Sequence, residues 1–105
     1  MPDLRVFAVV FLAASLATPL VAQNSGADIY KAKCQMCHGA DGLGATPVGK
    51  VMKIPSFKDP AVVKSTNAEL SSIVKNGKNK MPSFSGKLTD AQITSVVEFI
   101  RTLQK

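Results

Sequence analysis

Cys34-Gln35-Met36-Cys37-His38 is the segment of this chain whose residue types and spacing specify chemistry. Two thiols separated by two residues, on a helical turn, can each add across a vinyl group of one haem. The histidine that follows then turns its imidazole toward the iron on the same face. C-x-x-C-H is accordingly the attachment pattern of haem c. Three other uses of these residues stay open on weaker grounds. A redox dithiol sits at a helix start inside a β-α-β pattern, and no strand pattern precedes this motif. A zinc site needs more ligands, and the chain has no other cysteine and no other histidine. A structural disulfide spanning two residues would constrain the unfolded chain little.

An iron held by His38 has a second axial position, and with the only histidine spent the natural donor is methionine. Met36 lies inside the motif, and Met52 follows it after a short loop. Met81 follows an expected helix end and precedes Pro82, which holds the Met81 backbone extended on a separate loop able to cover the opposite face. Met81 is the expected ligand; Met52, a lysine or an open position are the alternatives. Lone methionines usually fill cores, and it is the iron's missing ligand that gives this one another use.

The elements that must position these residues read as helices. Ser25 can cap a helix that carries Asp28 in its first turn and the cysteines in its last, ended by Gly39. From Gly39 to Pro55 the glycines at 42, 44 and 49 and Pro47 predict a long loop, of a kind that wraps something. Asp59-Pro60 opens a short helix over residues 60–64, and Thr66 with Glu69 forms a capping box for another that Gly77 can end. The last helix is the best specified. Thr89 and Gln92 box its start, Leu88 can staple onto Ile93, and Ile93, Val96, Val97, Ile100 and Leu103 repeat at helical spacing. The expectation is an all-α domain with long loops.

Residues 1–22 read as an address. Arg5 precedes the charge-free run from Val6 to Ala14, and Leu20-Val21-Ala22 ends in a small residue before polar Gln23, the layout of a cleaved signal peptide. The run is shorter than the roughly 20 apolar residues of a membrane span. Residues 23–105 are then the working domain, expected in the periplasm. Losing Asp3 and Arg5 together leaves its formal charge at +6. So small a domain usually needs a covalent or metal staple, and the cysteines are where it would be.

The mature chain resembles the class I cytochrome c family, its small soluble bacterial and algal members in particular. Gly26 and Tyr30, eight and four residues before Cys34, stand where the family places a glycine and an aromatic against the terminal helix, with Val96 and Phe99 as their partners. Asn76-Gly77-Lys78-Asn79-Lys80-Met81-Pro82-Ser83-Phe84 resembles the axial-methionine loop. The resemblance implies the cytochrome c fold, with the N- and C-terminal helices packed around one covalently bound haem c. It implies a one-electron carrier rather than an enzyme, in respiratory or photosynthetic transport. It also implies that the Pro47 carbonyl accepts a proton from the His38 Nδ1.

The charge bears on partners. Lys33, Lys50, Lys53, Lys78, Lys80 and Lys87 fall near the motif, the long loop and the methionine loop. If they ring a haem edge they would steer an acidic redox protein, such as a membrane oxidase or dehydrogenase; otherwise they are solvated surface. Transient contact with an anionic membrane surface is compatible with the same field. Nucleic acid is not expected, because no aromatic stacking platform accompanies the basic residues. A monomer is expected.

Overall fold

The computed structural model describes residues 25–105, so the expected signal peptide at 1–22 lies outside the described residues. Six helices follow in chain order: α1 (Gly26–Lys33), α2 (Gln35–His38), α3 (Pro47–Met52), α4 (Pro60–Lys64), α5 (Asn67–Asn76) and α6 (Asp90–Thr102). Among the described residues there is no sheet, only two isolated bridges, Lys78 with Met81 and Ser85 with Leu88. The all-α expectation holds.

The helix starts form by the capping chemistry that the sequence carries. The Ser25 hydroxyl accepts the Asp28 N–H at 3.1 Å, and the Asp59 carboxylate accepts the Ala61 N–H at 3.1 Å. Thr66 with Glu69, and Thr89 with Gln92, make reciprocal boxes that satisfy two orphan donors each. Two elements differ from expectation. The first helix does not run unbroken to Gly39 but kinks at Cys34, whose φ of −119° separates α1 from α2. The expected loop from Gly39 to Pro55 contains α3, capped by the Thr46 hydroxyl on the Gly49 N–H with Pro47 in the first turn. That is the same cap-then-proline signal as Asp59-Pro60, masked here by Gly49 and the neighbouring glycines.

α6 is the common wall of the core. Its Val96 and Ile100 join Ile29, Tyr30, Cys34 and Phe57 in one buried cluster. Its Ile93 and Val97 join Leu70, Val74 and Phe84 in a second. α1 crosses α6 so closely at Gly26 that any Cβ there would collide with the Ser95 carbonyl. Just beyond the crossing, the Tyr30 and Phe99 rings meet at 5.2 Å, the contact expected from the resemblance.

Candidate functional site

The cysteine-histidine turn is held by its backbone. Cys34 N–H bonds the Tyr30 carbonyl at 2.8 Å, and His38 N–H bonds the Cys34 carbonyl at 3.0 Å. The carbonyls at the end of α2 have no partners within the helix and must find them elsewhere. Three at and beyond the helix end do: Thr46 Oγ1 donates to the Cys37 carbonyl at 3.0 Å, Gly44 N–H to that of His38 at 2.9 Å, and the Tyr30 hydroxyl to that of the C-cap Gly39 at 2.5 Å. Gly39, at φ +83°, turns the chain away in a conformation that L side chains rarely adopt. Gly49 lets α3 lie against α2, since a Cβ there would stand 2.6 Å from the Cys37 carbonyl.

Met81 sits in a two-residue hairpin. Lys78 and Met81 exchange both backbone hydrogen bonds, at 3.2 and 2.9 Å, across Asn79 and Lys80, with Asn79 at φ +53°. The extended segment that follows is stitched to the end of α5: Ser83 Oγ donates to the Lys75 carbonyl at 2.6 Å, and Phe84 N–H to that of Val74 at 3.1 Å. The loop is thereby fixed on both sides of its methionine.

Cys34, Cys37, His38, Met52 and Met81 all line one cavity of about 550 Å³. Neither cysteine is in a disulfide. Burial, and secondarily the neighbouring Cys37, pushes the Cys34 thiol up to about 11. A nucleophilic redox thiol is tuned the other way, so burial does not favour Cys34 as the attacking thiol of a dithiol exchange. Burial also lowers the His38 pKa, which keeps the imidazole neutral with a lone pair free for a metal. Lys33, Lys53, Lys78 and Lys80 belong to the lining as well; Lys50 and Lys87 do not.

One expectation fails: His38 Nδ1 is buried without any hydrogen-bond partner, so the bond to the Pro47 carbonyl is not made. Pro47 starts α3 and its carbonyl lies within the first turn of that helix. The sequence reading also passed over Phe57, which lies nearly parallel to the His38 ring with centroids 4.7 Å apart and 21° between planes. An isolated aromatic in a loop gives no periodic signal that would have singled it out.

Residues 21–100 match the family model described as cytochrome c oxidase, cbb3-type, subunit III. The chain is 37% identical over 79 residues to cytochrome c6 of Alaria esculenta, covering 75% of this chain and 88% of that one. It is 34% identical over 106 residues to cytochrome c6 of a Picosynechococcus strain, covering 92% and 86%. The chain belongs to the cytochrome c family. Among solved structures, the c-type cytochrome KustC0563 superimposes with a TM-score of 0.71 at 26% identity, over 78% of this chain and all of that one. Cytochrome c6 of the diatom Phaeodactylum tricornutum does so with 0.58 at 28%, over 75% and 90%. This cytochrome c therefore has the cytochrome c fold and one covalently bound haem c with its iron. The cavity suits that group: two free thiols, a neutral imidazole and two thioethers converge within mainly apolar walls.

Proposed function

We infer that this cytochrome c is a soluble one-electron carrier in which Cys34 and Cys37 anchor the haem, His38 is one axial ligand and Met81 the other. The carrying observation is that these four side chains share a single cavity, with Met81 at the end of a doubly bonded hairpin. Bound there, haem supplies a reversible Fe(III)/Fe(II) couple. The chain's own part is to hold the group, exclude water with Phe57, Leu70 and Phe84, and present neutral donors. His38 and Met81 together would hold the iron and leave it no open position for a substrate, which fits a carrier and not an enzyme. Met52 lines the same cavity but ends α3, next to left-handed Lys53, without a paired backbone frame.

The carrier works after export, in the periplasm, with residues 1–22 removed. Four lysines in the cavity lining against one carboxylate, Asp59, favour an acidic redox partner. A place as one module of a membrane oxidase is the second reading, favoured by the description of the matched family. Intact mass gives leader cleavage and haem attachment together. The ligand test is potentiometry: Met81→His should lower the reduction potential markedly, because a soft neutral thioether favours reduced iron, while Met52→Leu should leave it nearly unchanged. The reverse result would move the axial ligand to Met52.

A further inference from the structure

Arg101, in the last turn of α6, turns its guanidinium back into the protein. Nε donates to Asn67 Oδ1 at 2.8 Å, and Nη2 to the Ser65 carbonyl. Nη1 donates to Gln104 Oε1 at 3.0 Å and reaches the Val63 and Val62 carbonyls at 3.4 and 3.5 Å. All of these partners are neutral oxygens, and among the described residues no carboxylate pairs with Arg101. Val62, Val63 and Ser65 close α4, at the end where carbonyls run short of helical partners; the Val62 carbonyl also accepts the Ser65 N–H at 3.1 Å. The arginine is thus a C-terminal cap delivered from another helix, and its planar fork is what lets one side chain serve so many acceptors.

Gln104 passes the connection on. While its Oε1 accepts from Arg101, its Nε2 donates to the Phe57 carbonyl at 3.0 Å. Phe57 N–H in turn bonds the Gly42 carbonyl at 2.9 Å, so the Phe57 backbone is held from both sides. Its buried ring then lies against the His38 imidazole.

The His38 ring needs such a neighbour. An axial histidine is ordinarily oriented by an acceptor on its second nitrogen, and here Nδ1 has none. The stacked face of Phe57 bears on the rotation of the ring, and the Phe57 backbone is held in part by Gln104, itself bonded by Arg101.

We propose that Arg101, acting through Gln104 and Phe57, is a positioning residue that fixes the rotation of the His38 imidazole about its bond to iron. The proposal rests on His38 being the axial histidine. Arg101→Lys keeps the charge but loses the fork, Gln104→Leu keeps the charge and cuts the relay, and Arg101→Gln removes both fork and charge.

The test uses the haem-loaded protein under fully folding conditions. Low-spin ferric EPR and the pattern of haem-methyl NMR shifts are the readouts, because both follow the orientation of the axial ring and neither follows global stability. Arg101→Lys and Gln104→Leu should change the g-anisotropy and the methyl pattern in the same sense, with Arg101→Gln changing them at least as far. Should an arginine variant fail to fold, Gln104→Leu decides alone. Spectra of Gln104→Leu matching wild type overturn the proposal. So does a pattern in which Arg101→Gln shifts the reduction potential while every g-value stays put, since the guanidinium would then act by charge only. A wild-type protein whose spectrum shows no histidine on iron removes the site assignment itself; histidine-ligated wild type with unmoved variants removes only the role of Arg101.

Discussion

The Tyr30 hydroxyl donates to the Gly39 carbonyl at 2.5 Å while the Tyr30 carbonyl accepts from Cys34 N–H at 2.8 Å, so one residue brackets the cysteine-histidine turn at both ends. Burial is the main reason that the Tyr30 pKa is raised well above its ordinary value. Tyr30→Phe should cost about 0.5–1.5 kcal/mol at neutral pH, the net worth of one hydrogen bond, because Gly42 N–H still serves the Gly39 carbonyl. With the folded pKa raised, the tyrosine's contribution is fully present below the unfolded value of about 10 and is lost as pH rises beyond it. Chemical denaturation as a function of pH should therefore show a shallower alkaline decline in Tyr30→Phe than in wild type. Equal slopes would mean that Tyr30 titrates alike in folded and unfolded chains.

Gly77 sits at φ +79° and ψ 169°, and a Cβ there would stand 2.7 Å from the Met81 carbonyl. Gly77→Ala should cost about 1–3 kcal/mol from backbone strain and should also displace the methionine loop. Gly86→Ala is the control, with φ +77° and nothing within 4 Å of its Cβ. The Met-to-iron charge-transfer band should weaken in Gly77→Ala and persist in Gly86→Ala.

At Gly26 the backbone is ordinary and only contact opposes a side chain. Gly26→Ala should force α1 away from the Ser95 carbonyl and lower stability by about 1–3 kcal/mol, as overpacking does. The denaturant midpoint should fall while the ligand spectrum of the folded protein stays unchanged, since the added Cβ meets Ser95 and Phe99, neither of which lines the cavity.

Removing both anchors tests whether the fold depends on its cofactor. The cavity is walled by residues of both buried clusters together with Met52 at the end of α3 and Met81, so in Cys34→Ala with Cys37→Ala, where nothing fills it, a domain this small should fail to hold together. Far-UV circular dichroism during urea titration should show little cooperative transition. A steep transition without haem would mean that the clusters on α6 suffice.

Lys78 and Lys80 flank the turn that carries Met81, both exposed and both in the cavity lining. Electron transfer to an acidic protein should slow by roughly 10-fold or more as salt rises, and Lys78→Glu with Lys80→Glu should remove most of that dependence. Indifference of the wild-type rate to salt would assign these lysines to solubility.

Most of the helices were legible because their ends are set by local chemistry. Ser25, Asp59, Thr66 and Thr89 each bond to a backbone N–H two or three residues on, which spacing alone can reveal. The attachment motif was legible for the same reason. α3 was missed because Gly49, which breaks the pattern, is there for the close approach to Cys37, a tertiary demand. The Arg101 to Phe57 relay was invisible because, apart from the local Arg101–Gln104 step, it joins residues 34 to 47 apart in the chain. Met81 could be separated from Met52 in sequence by Pro82, and in space by the hairpin, although both reach the same cavity.

The two flanks of α6 also impose an order on the birth of the molecule. Both clusters close only on α6, which is synthesised after the other five described helices. Until then Ile29 and Tyr30 on one side, and Leu70 and Val74 on the other, have no shared wall, and the thiols between them stay open to any machinery that must thread a macrocycle in. A nascent chain ending before Asp90 should accordingly leave Cys34 as reactive as Cys37 toward a bulky maleimide.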